Sequence, residues 1–268
     1  HNYRNLAIQD TGEWIFDDPK FAAWQTGPRG TPPILAIKGV EGSGKSFLAS
    51  AIIRHLRRIG ASESSGSRTL VAFYFLEGDP KEELKNADNL GVIAKSLVWQ
   101  LVQLDTSYLK SVVNICQTTW DLDPHEITLH LLLGNEGLAS IDARIFIVIE
   151  GVDDIGRPLI RFLQRVSALP PDRDIRVLLT GRPPGIDPLF TAPGISFEMI
   201  SISTRNRPDV EKYIESKMDR IDALKDAARL GVAELRKKIC DTLCDKTEGD
   251  YFKMDTILEQ IRSLDYVH

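Results

Sequence analysis

Residues 39–46 combine the residue types that bind a nucleoside triphosphate. They read Gly39-Val40-Glu41-Gly42-Ser43-Gly44-Lys45-Ser46 and fit the pattern G-x-x-x-x-G-K-[ST] without a mismatch. Glycines let the backbone curl so that its N–H groups point at phosphate, while the lysine supplies positive charge and the final hydroxyl binds Mg²⁺. We therefore predict a phosphate loop here, with nucleotide contacts from Gly39, Glu41, Gly42, Ser43, Gly44, Lys45, Ser46 and Phe47.

A group of acidic residues follows a buried apolar run. The run 146–149 ends in Glu150, and Asp153 and Asp154 come next on the turn. Hydrolysis needs an acid at the end of a buried strand, to hold Mg²⁺ directly or through water and to orient the attacking water. We predict Ser46 and Glu150 as the metal residues, and Asp153 or Asp154 as the acid that polarises water. The alternative is that these acids only cap the next helix.

A cation follows another predicted strand. The apolar run 175–180 ends in Gly181-Arg182-Pro183-Pro184. A positive charge at a neighbouring strand tip could sense the γ-phosphate, so Arg182 joins Lys45 and the two aspartates as a candidate catalytic residue. The alternative is a surface arginine in a Pro-rich turn.

A phosphate loop requires a strand before it and a helix after it. Ile34-Leu35-Ala36-Ile37 is a short apolar run of the kind that forms a buried strand. Residues 47–56 have helical periodicity with apolar residues on one face, and Gly60 marks the predicted helix end. The surroundings of the loop therefore agree with its motif.

Strand and helix patterns alternate along most of the chain. Further strands are predicted at 69–76, 144–149, 175–180 and 195–202, and further helices at 90–104, 107–116 and 157–169. This alternation is typical of a parallel sheet covered by helices on both faces. From residue 207 onward only helical patterns remain. We predict an α/β fold, a three-layer α/β/α P-loop NTPase with a mostly parallel sheet, followed by a small all-helical domain.

The same patterns divide the chain into three parts. Residues 1–30 are rich in aromatic side chains and are predicted to form an N-terminal helical and linker segment packed on the core. Residues 31–204 are the predicted nucleotide-binding domain. Residues 205–268 are the predicted helical domain, and we expect them to act as a lid, because about sixty residues are marginal for an independent core.

Composition argues against several kinds of protein. The chain has 268 residues, 43% hydrophobic and 26% charged, with a net charge of −5. Direct nucleic-acid binding is not expected from a negative chain. No apolar run reaches the ~18 residues of a membrane span, and no signal-peptide pattern is present. Three cysteines favour a reducing, cytoplasmic location. The first residue is His1 rather than Met, from which we expect a piece of a longer protein.

In their order along the chain, these features resemble the NACHT subgroup of the STAND P-loop NTPases, of the fungal heterokaryon-incompatibility or NOD-like receptor type. The phosphate loop is shared by many families, whereas the element E-G-V-D-D with a Trp-containing segment upstream is more specific. The resemblance covers most of the chain. The matching segments are 11–14, 21–24, 39–46, 96–101, 150–154, 179–183 and 209–214.

The resemblance implies a slowly hydrolysing, nucleotide-dependent switch in innate immunity and programmed cell death. In such a switch ADP holds a closed form, and ATP with Mg²⁺ favours self-association through the NTPase domain. The family usually adds effector, winged-helix and repeat-sensor domains, which this chain does not contain. Carried over by position, Lys45 and Ser46 are the phosphate and Mg²⁺ residues, Glu150 the acid beside Mg²⁺, Asp153 or Asp154 the hydrolytic acid, and Arg182 the sensor.

Some alternatives stay open. Glu150 stands where the family usually has Asp, and its longer side chain changes the metal geometry. A P-loop small-molecule kinase is one alternative class, although no Arg-dense loop follows the sheet. A non-hydrolysing nucleotide-binding scaffold is the other. The base of the nucleotide is also open. ATP and ADP are favoured as ligands, while GTP and GDP stay possible. The sequence lacks N-K-x-D, the signature by which common GTPases recognise guanine, and this removes only one argument for GTP.

Overall fold

Apolar runs in the first two hundred residues form one sheet of five parallel strands. The computed structural model describes residues 12–28, 30–62, 68–76, 89–118, 124–134, 143–170, 173–247 and 249–264. Its strands are β1 (Ile34–Lys38), β2 (Arg68–Phe75), β3 (Ala143–Glu150), β4 (Ile175–Gly181) and β5 (Phe197–Ser201). They lie in the order β2-β3-β4-β1-β5, and each of these neighbouring pairs is parallel.

The strand register brings the ends of β1, β3 and β4 to one edge of the sheet. Lys38 at the end of β1 lies beside Gly181 of β4, and Glu150 at the end of β3 lies beside Thr180 of β4. The backbone N–H of Gly151 donates to the Thr180 carbonyl at 2.9 Å. Because parallel strands all end on the same side, residues that follow these three strands share one crevice.

Helices cover both faces of the sheet. They are α1 (Pro19–Thr26), α2 (Lys45–Ser62), α3 (Asn89–Leu104), α4 (Thr106–Thr118), α5 (Pro124–Leu133), α6 (Arg157–Ser167), α7 (Pro183–Thr191), α8 (Arg207–Met218), α9 (Val232–Thr247) and α10 (Tyr251–Leu264). In β3, Ile145, Ile147 and Ile149 face the apolar cluster that includes α3 to α7. Phe146 and Val148 face the cluster that includes α1 and α2. The alternation confirms the predicted three-layer α/β/α fold.

The last three helices form an apolar cluster of their own. Ile214 of α8, Leu243 of α9 and Met254 of α10 are among its buried members. Arg236 is buried beside this cluster. Its guanidinium donates to the Leu224 carbonyl at 2.9 Å and pairs with Glu215. A small helical part thus follows the sheet as predicted, while the exact domain boundaries at 30/31 and 204/205 stay predictions.

The segment before the sheet is tied to both parts of the fold. Asp18 caps α1 by accepting the backbone N–H of Lys20 at 2.9 Å. The buried indole of Trp24 donates to the Pro33 carbonyl at 3.1 Å. The backbone N–H of Gly12 donates to the carboxylate of Asp209, near the start of α8, at 2.8 Å. The N-terminal segment therefore links the sheet layers to the helical cluster.

One local prediction from sequence was wrong, and the Pro-rich turn named in the alternative reading of Arg182 is not found. Helix α2 does not end at Gly60 but continues to Ser62. Gly60 instead lies against Thr69 of β2, where a Cβ would be 3.1 Å from the Thr69 side chain, so its small size serves close packing. Pro183 and Pro184 do not form a turn. They occupy the first turn of α7, where a helix needs no N–H.

We predict that the helical cluster is a stabilising core. Leu243 is 3% exposed, whereas Leu235 on the same helix is 48% exposed. Leu243→Ala should lower the free energy of unfolding by about 2–5 kcal/mol, because it removes buried methyl groups and leaves a cavity. The matched change Leu235→Ala should cost about 0.5 kcal/mol. Urea unfolding of both variants measures the difference, and equal losses would contradict a packed core.

Candidate nucleotide-binding site

The phosphate loop connects the end of β1 to the start of α2. Gly42 and Gly44 have φ angles of 70° and 85°, in the left-handed region that favours glycine. Helix α2 begins at Lys45, and the Leu48 N–H donates to the Gly44 carbonyl at 2.9 Å. The amides of the first turn have no earlier helical carbonyl to bond, and they lie at the positive end of the helix dipole. This arrangement is suited to binding phosphate.

The side chain of Lys45 folds back onto the loop that precedes it. Its ammonium donates to the carbonyls of Gly39 at 3.0 Å and Val40 at 2.7 Å. Burial lowers the pKa of Lys45, while the nearby carboxylates of Asp153 and Glu150 act in the opposite direction. The ammonium is therefore held inside the curl of the loop, where phosphate oxygens could replace the two carbonyls as acceptors.

Ser46 and Glu150 join the loop to the end of β3. The Ser46 hydroxyl donates to Oε1 of Glu150 at 2.6 Å. Glu150 is 7% exposed. Burial raises the pKa of its carboxyl group, and the Ser46 hydrogen bond and the Lys45 charge partly offset that rise. The structure thus brings together the two predicted metal residues, and their role in binding Mg²⁺ stays a prediction.

This pair of oxygens fits a magnesium ion. Mg²⁺ takes oxygen ligands at about 2.0–2.1 Å in octahedral geometry, so neighbouring ligands lie about 2.9 Å apart. The Ser46 and Glu150 oxygens need to separate by only a few tenths of an ångström from their present 2.6 Å. In the described part of the chain, no three His, Cys, Asp or Glu residues form a metal cage. Such a sparse donor set is usual where phosphates complete the coordination of Mg²⁺.

The carboxylate of Asp153 binds Arg182, the residue between β4 and α7. One carboxylate oxygen accepts the backbone N–H of Arg182 in a short hydrogen bond, and the other accepts its Nε–H at 3.0 Å. The Arg182 guanidinium also lies 3.7 Å from the carboxylate of Glu41 in the phosphate loop. Arg182 is therefore held between two carboxylates, close enough for its charge to act on Lys45.

The remaining predicted residues surround the same loop. The Ser43 hydroxyl donates to the Val40 carbonyl at 2.7 Å and so closes the loop on itself. Phe47 is half-buried at the start of α2, and Glu41 is exposed. The side chain of Asp154 lies outside the described residues. The roles of all these residues in binding or catalysis stay predictions.

Sequence reasoning missed a contact between the loop and the C-terminal helix. The backbone N–H of Tyr251 donates to the Gly42 carbonyl at 3.0 Å. Asp250 is buried beside it and accepts the backbone N–H of Phe252 at 3.0 Å. The helix start itself is readable in the sequence, as an Asp before a helical run. No local pattern indicates which surface it touches, because its partner lies 209 residues earlier (251 minus 42).

Comparison with known proteins identifies a family. Residues 10–182 match the sequence model of the family described as Nephrocystin 3, N-terminal. This range contains the phosphate loop, β3 with Glu150, and Arg182. No curated protein matches the chain.

Several solved structures are similar in fold. Two are of the ORC2 protein of Aeropyrum pernix, in an ADP form and in ADPNP–ADP complexes. Both are 14% identical, with TM-scores of 0.45 and 0.47. The matches cover 87% of this chain and 63% and 62% of those chains. A third, Drosophila ORC bound to DNA, is 14% identical with a TM-score of 0.38, covering 95% of this chain and 59% of that one. The chain thus spans about three fifths of these structures.

None of the described helices of the chain is long and apolar enough to cross a bilayer.

We predict that acid weakens the contribution of Mg²⁺ to nucleotide binding. The pKa of Glu150 lies above its usual 4.5, so its carboxylate takes up a proton, which competes with a metal, at a higher pH than an ordinary Glu. In the wild type the Mg²⁺-dependent gain in ATP affinity should shrink as the pH is lowered from neutral, and the loss should begin at a higher pH than the usual pKa of a Glu, 4.5, would give. Calorimetric titrations measure it.

Glu150→Gln provides the control, because glutamine keeps the shape and cannot titrate. Protonation of the nucleotide itself occurs in both proteins and cancels in the comparison. Identical pH profiles for wild type and Glu150→Gln would show that Glu150 does not act on the metal.

Proposed function

The chain belongs to the Nephrocystin 3, N-terminal family, and on that premise we propose that it binds a nucleoside triphosphate with Mg²⁺ and hydrolyses it slowly. The observation that carries the proposal is the hydrogen bond between Ser46 and Glu150. It joins the end of the phosphate loop to a buried acid on another strand, and Lys45 lies close enough for its charge to act on that acid. A surface Gly/Ser loop without a function would not require this arrangement.

The proposed division of roles follows from the position of each group. The amides of the loop and the Lys45 ammonium bind the phosphates. The oxygens of Ser46 and Glu150 would hold Mg²⁺, which would neutralise charge on the phosphates. Arg182 would leave Glu41 to contact the γ-phosphate, while Asp153 would keep the Arg182 backbone in place by accepting its N–H. Asp154 lies four residues after the end of β3 and is the proposed acid that orients water.

We further propose that the chain acts as a switch of the NACHT type of STAND NTPase. ADP holds the helical segment closed over the nucleotide, and ATP with Mg²⁺ favours self-association. The support is the set of matching segments along the sequence, together with two hydrogen bonds from the helical segment. Asp209 bonds the N-terminal segment at Gly12, and Tyr251 bonds the phosphate loop at Gly42. A cytoplasmic role in defence or programmed cell death, with effector and repeat-sensor domains elsewhere in a longer protein, is part of the same proposal.

One observation favours a second candidate, a nucleotide-binding scaffold that does not hydrolyse. Both carboxylate oxygens of Asp153 are engaged by Arg182, and Glu150 already accepts from Ser46. If Asp154 does not reach the nucleotide, none of the three predicted acids after β3 is left to orient water. Phosphate release measured on the wild type separates the two candidates.

We predict that nucleotide binding depends on Lys45. Lys45→Ala removes the one ammonium that donates within the loop, and loss of its charged hydrogen bonds should weaken ATP and ADP binding about a hundredfold or more. Calorimetry measures the affinity, and thermal melting checks that the variant folds. Lys237→Ala, on the exposed side of α9, should bind like the wild type. Unchanged affinity in Lys45→Ala would refute the phosphate-loop assignment.

We predict that the two aspartates matter for hydrolysis and not for binding. Asp153→Asn with Asp154→Asn keeps size and removes charge, so ATP should still bind while phosphate release falls about a hundredfold. Each single variant assigns the effect. Asp154→Asn should account for most of it, because Asp153 is committed to Arg182. Phosphate release at the wild-type rate in the double variant would exclude both as the water-orienting acid.

A further inference from the structure

The first turn of α10 rests directly on the phosphate loop. The backbone N–H of Tyr251 donates to the Gly42 carbonyl at 3.0 Å. Tyr251 is the first residue of the helix, so its N–H has no acceptor within α10 and is free to bond elsewhere. The hydrogen bond therefore costs the helix nothing, and it ties a helix of the C-terminal cluster to the loop that precedes α2.

The bonded carbonyl belongs to a peptide unit that also faces the inside of the loop. In a planar trans peptide the C=O of one residue and the N–H of the next point in opposite directions. The carbonyl of Gly42 points out toward Tyr251, so the N–H of Ser43 points in, where it donates to the Val40 carbonyl at 3.3 Å. Holding the carbonyl from outside thus fixes the direction of an inward amide.

The two glycines of the loop with positive φ also make room for α10. A Cβ on Gly42 would overlap a carboxylate oxygen of Asp250 and lie 2.9 Å from the ring of Phe252. A Cβ on Gly44 would lie 3.3 Å from the ring of Tyr251. Contact this close along three consecutive residues means that α10 is fitted to the outer face of the loop.

Asp250 builds the helix turn that makes this contact. It is 8% exposed, and one carboxylate oxygen accepts the backbone N–H groups of Phe252 at 3.0 Å and Lys253 at 3.2 Å. The other oxygen lies 3.4 Å from the Lys253 ammonium. These partners satisfy the buried charge, and they fix the orientation of the Tyr251 N–H toward the loop.

We propose that Tyr251 and Asp250 are positioning residues of the phosphate loop, Tyr251 through its backbone N–H and Asp250 by capping the turn. The inference rests on the proposed nucleotide-binding function and adds that the helical segment is part of the phosphate site. It acts on the loop from outside and needs no contact with nucleotide. Undocking of α10 releases the peptide between Gly42 and Ser43, so phosphate affinity and docking of the helical segment are coupled.

The test compares two substitutions at residue 251. Tyr251→Ala removes the ring and keeps the N–H, whereas Tyr251→Pro removes the ring and the N–H together. Proline is well accepted at the first position of a helix. Its Cδ takes the place of the amide hydrogen, so Tyr251→Pro removes the donor and also pushes the Gly42 carbonyl away from the helix turn. Tyr251→Phe keeps both features and is the control that should behave like the wild type.

Two measurements are made on each variant of the whole chain. Without nucleotide, exchange of the Ser43 amide should be about three- to tenfold faster in Tyr251→Pro than in Tyr251→Ala. The ATP affinity of the proline variant should be weaker by a similar factor. Equal exchange in the two variants, or faster exchange with equal ATP affinity, would overturn the positioning role. If the wild type binds no ATP, the proposed function fails, and the exchange rates alone decide whether α10 positions the loop.

Asp250 gives an independent test should the proline variant not fold. Asp250→Ala removes the cap, and Asp250→Ser keeps a cap acceptor without the charge. The alanine variant should lose ATP affinity about threefold or more and show faster Ser43 exchange, while the serine variant retains wild-type values or binds more tightly. A serine variant that behaves like alanine would show that the charge of Asp250, and not its cap, is what matters, and would contradict the proposed positioning.

Discussion

The hydrogen bond between Ser46 and Glu150 joins two strands that are not neighbours in the sheet. Ser46 follows β1 and Glu150 ends β3, with β4 between them. The bond forms because the register of β4 sets both strand ends at the same height, with Gly181 beside β1 and Thr180 beside β3. A slip of one residue in the pairing of β3 with β4 would turn Glu150 to the other face of the sheet. The candidate chemistry therefore depends on the order and register of three central strands.

Two positive charges at this end of the sheet are balanced by groups that an anion could replace. Two cations, Lys45 and Arg182, are held by loop carbonyls and by the carboxylates of Asp153 and Glu41. These partners satisfy both cations without nucleotide. A triphosphate has to compete with these partners. In the proposed function this competition links binding to rearrangement of Arg182, and the hydrogen bond from Tyr251 to Gly42 links the loop to the helical segment.

Local sequence patterns were sufficient to predict features that depend on a single strand, helix or loop. The G-x-x-x-x-G-K-S pattern predicted the loop, and apolar runs predicted all five strands within about two residues, because period and burial are local properties. Gly60 was misread, since its role comes from contact with Thr69 on β2. The hydrogen bond from Tyr251 to Gly42 could not be predicted, because it depends on how α10 packs against a loop far earlier in the chain. The engagement of Asp153 by Arg182 likewise required the pairing of β3 with β4.

Amide hydrogen exchange across the whole chain, with and without ATP and Mg²⁺, tests the phosphate loop most directly. We expect nucleotide to slow exchange in residues 42–48, which are the loop and the first turn of α2, and in the first turn of α10 as well. Protection confined to other segments, with exchange in residues 42–48 unchanged at saturating ATP, would contradict it, because the phosphates would then lie somewhere other than on the loop.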